Sequence, residues 1–223
     1  MVNGKIYLDT QHLIRLYPHV YHMAEKDTWQ SIKSIGLLST SAALDRYKVQ
    51  GSARIALEQK HRPEKISVGN ARDQIVLRDQ GPMAPSRLAM ALPPAVTPSK
   101  WYRFLNGLVF MWAEETRLLG LLNARRYRNL EHDVLTIDLR SFVTAYEESI
   151  WLCHMNSGNT FPVPHKRDLG SFRRIKDYPA NRKGNPAKTV VEVVTDYSVP
   201  DIGTYVIAVR RMRGAQTIRT IPI

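Results

Sequence analysis

The chain has 223 residues, 43% apolar and 23% charged, the balance of a globular protein long enough for a sizeable core. No apolar run nears the roughly 20 residues a membrane-crossing helix needs, and the single cysteine, Cys153, excludes an internal disulfide framework and a multi-cysteine metal site. Lys and Arg total 32 against 20 Asp and Glu, and this net charge of +12 favours a polyanionic partner, nucleic acid before a membrane surface. The opening Met1 to Lys5 lacks the apolar stretch of a secretory signal, so a cytoplasmic location is expected.

In chain order, His19 to Met23 alternate and predict a short strand. Asp27 with Gln30 has the spacing of a capping box, and Trp29, Ile32 and Ile35 follow at helical spacing until Gly36. Leu37 and Leu38 come next, then a polar helical stretch over about 41–60 and a strand at Ile75 to Leu77 that ends in the turn-rich Arg78 to Pro82. Thr97-Pro98 starts a helix, threonine as cap and proline at its first position. That helix ends at Asn106-Gly107, and Leu108 to Trp112 is short and apolar enough for a buried strand. Glu114 to Asn123 reads as a helix packed through Leu118, Leu119, Leu121 and Leu122. Val134 to Ile137, Ile150 to Leu152, Val190 to Val194 and Tyr205 to Val209 complete the strands. Helices crowd the first half and strands the second without regular alternation, which predicts an α+β fold, as a single domain over 1–223.

The basic charge is uneven. From His165 to Ile223, 12 lysines and arginines face 5 acids, so this quarter carries +7 of the excess. Residues 165–188 mix basic residues with Gly, Pro and Asn and read as a long basic loop, of the kind that is functional or disordered. Its Lys166, Arg167, Arg173, Arg174, Lys176, Arg182 and Lys183 are the candidate nucleic-acid contacts, with Phe172 or Tyr178 available to stack on bases. The later arginines sit at the end of a strand, where charge also serves to block edge-to-edge aggregation.

Common catalytic signatures are missing: there is no phosphate-binding G-x-x-x-x-G-K-[ST], no G-x-G-x-x-G, no H-E-x-x-H and no G-x-S-x-G. Cys153 and His154 are neighbours and point to opposite faces of a strand, which argues against a Cys–His nucleophile. Asn156 to Thr160 is a polar turn. Glu192 is the anomaly, a carboxylate among four valines. It either faces solvent from an edge strand or projects into a polar cleft, where it could stabilise a developing cation such as an oxocarbenium ion. His22, at the end of the first strand, is a second candidate beside the plain reading of a structural histidine.

Tyr21-His22-Met23-Ala24 followed by Trp29-x-x-Ile32-x-x-x-Gly36-Leu37-Leu38 resembles the opening of ADP-ribosyltransferase-fold enzymes, specifically the DarT-like nucleic-acid ADP-ribosyltransferase toxins and the RNA 2′-phosphotransferases. Val191 to Val194 with Ser198-Val199-Pro200-Asp201-Ile202 is similar to the DarT-like strand that bears the catalytic glutamate, and Trp101 to Trp112 looks like the strand after that group's variable helical insert. The three patches cover about 45 of the 223 residues. Met23-Ala24 stands where the family carries a hydroxyl residue, and no arginine-rich loop follows Gly36.

The resemblance implies a split β-sheet core behind a helical N-terminal half, and NAD as co-substrate with no metal. His22 would bind a ribose of NAD, with the backbone of Met23 and Ala24 at the nicotinamide amide. Glu192 would hold the nicotinamide-ribose hydroxyl and stabilise the oxocarbenium-like transition state. Arg78 would suit the pyrophosphate, its plain alternative being an ion pair with Asp79 or Asp73. Phe110 or Trp112 could stack on nicotinamide or simply pack in the core. The implied activity is transfer of ADP-ribose to DNA or RNA, with a neutralising antitoxin or hydrolase as a partner. An NAD-dependent RNA 2′-phosphotransferase and a non-enzymatic basic nucleic-acid-binding module are the alternatives.

Overall fold

Asp9 accepts from the His12 N–H and so starts α1 (Thr10–Leu16), which follows the short strand β1 (Ile6–Tyr7). The computed structural model describes residues 5–70 and 73–223. Next come β2 (His19–Glu25), α2 (Trp29–Ile35), β3 (Leu37–Leu38), α3 (Thr40–Arg46) and α4 (Gly51–Glu58). β4 (Ile66–Asn70) and β5 (Asp73–Leu77) pair with each other, and α5 (Pro85–Ala91) and α6 (Pro98–Asn106) follow. β6 (Leu108–Trp112), α7 (Glu115–Leu122), β7 (Glu131–Asp138), α8 (Leu139–Tyr146) and β8 (Ile150–Cys153) come next. The rest is strand-rich: β9 (Phe172–Arg174), β10 (Pro179–Ala180), β11 (Glu192–Asp196), β12 (Ser198–Val199), β13 (Val206–Arg213) and β14 (Gln216–Ile221).

Eight strands form one fully antiparallel sheet in the order β14-β13-β7-β2-β6-β11-β8-β9. The α+β reading holds, and every α-helix among the described residues ends by Tyr146. β2, β6 and β7 nevertheless come from that same helix-rich part. Period-two burial assigns the faces. Leu135, Ile137 and Val193 join Leu13, Ile14 and Phe142 of α1 and α8 in the largest core. On the other face Val194 packs with Trp101, Tyr102 and Leu105 of α6, while Val134 packs with Leu118 and Leu122 of α7.

One joint in this sheet is weak. β2 runs beside β7 through seven paired residues, but it meets β6 only at Tyr21 and Trp112. The sheet therefore parts between β2 and β6 into two four-stranded halves hinged on one residue pair.

Three local expectations are corrected. Asp27 does not cap α2: it sits at φ 63°, and its carboxylate goes to Arg211. The N–H groups of Thr28 and Trp29 donate instead to Asp133 Oδ2 on β7, at 3.2 and 3.4 Å. The stretch 41–60 is two helices, broken where Lys48 turns to φ 54°. The segment 165–188 is not an irregular loop throughout, since Phe172 and Tyr178 are buried on or beside β9 and β10 and cannot stack on bases. Gly36 does end α2, at φ 89°; a Cβ there would lie 2.5 Å from Pro200 Cα, so glycine lets α2 close against the chain leaving β12.

Candidate functional site

The gap between the sheet halves opens into a cleft of about 1520 Å³. Its walls come from β2, β6, the β5 end, α7, the loop after β8 and the first residue of β11. His22, Met23, Ala24, Arg78, Phe110, Trp112 and Glu192 all line it, although His22 and Glu192 stand 170 residues apart.

Glu192 lies across the strands from Trp112 on β6 and Cys153 on β8, so the three side chains form one row. It is only 4% exposed. Oε1 accepts the Ser157 N–H at 3.0 Å, while Oε2 is buried with no partner among the described residues. Burial raises this carboxyl to about 7, against the opposing pull of the Ser157 hydrogen bonds and the Arg167 charge. Cys153 is buried as well, and burial pushes its thiol up, so a thiolate nucleophile finds no support.

His22 spans the seam. Its Nδ1 lies 2.8 Å from the Phe110 carbonyl, an acceptor only, so Nδ1 carries the proton and donates. Burial lowers the imidazole to about 4, so the ring is neutral at pH 7 and Nε2 is a lone-pair acceptor beside the cleft.

Arg78 belongs to a cluster the sequence did not foretell. Its Nη2 donates to the Met23 carbonyl at 3.1 Å and to Glu25 at 3.3 Å, its guanidinium lies over the Tyr127 ring, and Nη1 is buried without a partner among the described residues. The expected partners are engaged elsewhere, Asp73 with Arg46 and Tyr47, Asp79 with Arg126 and Tyr127. The Met23 carbonyl thus already accepts one bond and keeps a second lone pair, and Ala24 lies in the β2–β7 ladder with its side chain in the core. Phe110 and Trp112 are half-buried, packing against the α6 and α7 clusters while they line the cleft.

Arg167 is the clearest relocation. Expected on the surface, it is 4% exposed and gives its guanidinium to the carbonyls of Ser157, Asn159 and His165 at 2.9, 2.7 and 3.1 Å. It therefore braces the loop whose Ser157 N–H holds Glu192. The one sequence signal was the polar turn Asn156 to Thr160 directly after a buried strand. Arg174 stacks over Trp151 and bonds Asp196 at 2.7 Å, and Lys176 pairs with Glu148. Near the C-terminus Arg210, Arg211 and Arg213 pair with Glu115, with Asp27 and Asp133, and with Glu131. Lys166, Arg173, Arg182, Lys183 and Lys188 stay exposed and form no ion pair among the described residues.

Among the described residues no group of three or more His, Cys, Asp or Glu could hold a metal, and no helix is long and apolar enough to cross a membrane. Fold and site together define an α+β protein with a deep cleft at the seam of a split antiparallel sheet. The chain belongs to a family described as a family of unknown function, DUF7002, which matches residues 18–206 and so spans the cleft from His22 to Glu192. No curated protein matches it.

Proposed function

We propose that this protein is an NAD-dependent mono-ADP-ribosyltransferase that passes ADP-ribose to a nucleic-acid acceptor. The supporting observation is the meeting, in one cleft at the sheet seam, of a buried glutamate with a free oxygen and a neutral histidine with a free ring nitrogen. NAD fits the polar atoms left without partners. Glu192 Oε2 and His22 Nε2 are acceptors for ribose hydroxyls, and the buried Arg78 Nη1 is a donor for a pyrophosphate oxygen. Phe110 and Trp112 offer half-buried rings to the nicotinamide.

Loss of nicotinamide leaves positive charge on the ribose carbon. Ionised Glu192, desolvated and held in place by Ser157, stabilises that charge more strongly than a solvated carboxylate does. His22 fixes the sugar, and the ring stays in place because its other nitrogen is bonded to the β6 backbone. Incubation with NAD and single-stranded DNA or RNA tests the reading: nicotinamide release and a labelled nucleic acid are expected, both lost in Glu192→Gln. No nicotinamide release with DNA, RNA or protein acceptors overturns it.

A further inference from the structure

A second cavity, of about 460 Å³, adjoins the first across the loop after β8. His154, His165, Lys166, Arg167 and Lys188 line it, and no carboxylate does among the described residues. The Lys188 ammonium lies 3.4 Å from His154 Nε2, whose pKa burial and the nearby Lys188 lower against the opposing pull of Asp168 outside the cavity wall, so the lysine forms no ion pair there among the described residues. Lys166 spends one N–H on the Met90 carbonyl at 3.0 Å, which leaves its other donors for a ligand. A concave site lined by two ammonium groups without an ion pair, and by no acid among the described residues, is built for an anion.

Asn156, Asn159 and Phe161 line both cavities. The side-chain oxygens of the two asparagines accept from the loop's own Gly158 and Phe161 N–H groups, so each offers a ligand its amide NH₂. Phe161 is 53% exposed, and the Arg87 guanidinium covers one face at 3.9 Å from the ring centre. A flat group can stack on the remaining face.

We propose that this second cavity is the acceptor subsite for a single-stranded nucleotide segment, its phosphate held between Lys166 and Lys188 and a neighbouring base stacked on Phe161. The stacking surface favours nucleic acid over an acidic peptide, which carries charge but no base to stack. The word acceptor rests on the transferase reading; the binding itself does not, and is measured without NAD. A failed subsite then shows as lost specificity in binding, whereas a failed transferase reading shows as intact binding with no nicotinamide release.

The test is fluorescence anisotropy of the full chain with a labelled single-stranded oligonucleotide of about 12 residues, a length that covers a short stacking groove. Lys166→Ala/Lys188→Ala is expected to weaken binding about 10-fold or more and to lower the salt slope by roughly 1–2. Phe161→Ala is expected to weaken it about 5- to 100-fold, as loss of one base stack does, with the salt slope unchanged. Lys100→Ala/Arg103→Ala, which removes two exposed charges from α6, is expected to bind within about twofold of the native protein because neither residue lines either cavity. Equal weakening by that control, unchanged binding in the first two variants, or equal displacement of the oligonucleotide by a polyglutamate peptide each overturns the assignment. All these positions are exposed, and a thermal melt verifies that each variant is folded.

Discussion

The two halves of the sheet each bury a carboxylate, and the two are treated in opposite ways. Asp133, on β7, is fully buried, and both its oxygens are occupied, Oδ1 by Arg211 Nε at 2.6 Å and Oδ2 by the first N–H groups of α2. Glu192, on β11, is nearly as buried but has one bonded and one orphaned oxygen, and burial raises its pKa to about 7. A charge satisfied on every side holds structure together; here it fastens α2 to the sheet beside the cleft. A buried charge left partly unsatisfied costs folding free energy and is retained where a ligand completes it.

The largest expected effect tests the satisfied member. Arg211→Ala strands Asp133 without its cation and should cost ~3–5 kcal/mol, which for a chain of this size lowers the Tm by roughly 6–20 °C. A fall of only a degree or two in a thermal melt ends the claim that Asp133 is structural.

Glu192→Gln should do the reverse. In the folded chain the carboxyl titrates near 7 and in the unfolded chain near its ordinary 4.5, so the native state binds the proton more tightly. Stability contributed by this group falls as pH rises from about 4.5 to 7, and the loss is complete above that. Glutamine removes the ionisation and should stabilise the protein above pH 7 by as much as ~3 kcal/mol, while nicotinamide release drops by ~10²–10³. In the native protein that release should climb through pH 7, tenfold per unit below it, and level off above. A variant both slower and less stable makes Glu192 a second Asp133.

Arg167→Met sharpens the contrast, because Arg167 reaches Glu192 only through the loop and its charge. Stranding the carbonyls of Ser157 and Asn159 should cost ~1–3 kcal/mol. Since the Arg167 charge and the Ser157 N–H on the loop it braces both hold the Glu192 pKa down, its loss should also move the pH midpoint of nicotinamide release upward. The smallest effect belongs to a local cap. Thr97→Ala removes the bond from the Lys100 N–H at the start of α6 and should cost ~1 kcal/mol, with nicotinamide release unaltered.

That last case marks where the fold was legible. Thr97-Pro98, the apolar run Leu108 to Trp112 and the valines around Glu192 are short-range patterns, and each yields its element, the last displaced by two residues to Glu192–Asp196. α1 and α8 escaped the same reading although Asp9 and Asp138 cap them. The start of α2 could not be read locally, since its cap is supplied by Asp133 from 105 residues away. The basic segment misled for a similar reason: a guanidinium aimed at backbone carbonyls, as Arg167 is, looks in sequence like one aimed at phosphate.

The sequence by itself determined that Glu192 is out of place, since a carboxylate in a β-branched run is anomalous whatever surrounds it. It also determined six of the eight strands of the central sheet, whose period and residue types are local properties, but not the short basic β9 or the exposed polar edge strand β14. Tertiary structure decided the rest: that β2 and β6 part after one residue pair, that His22 and Glu192 open onto the same cleft, and which cations are paired. Those outcomes depend on desolvation and on partners brought together from distant parts of the chain, and neither is encoded at any single position.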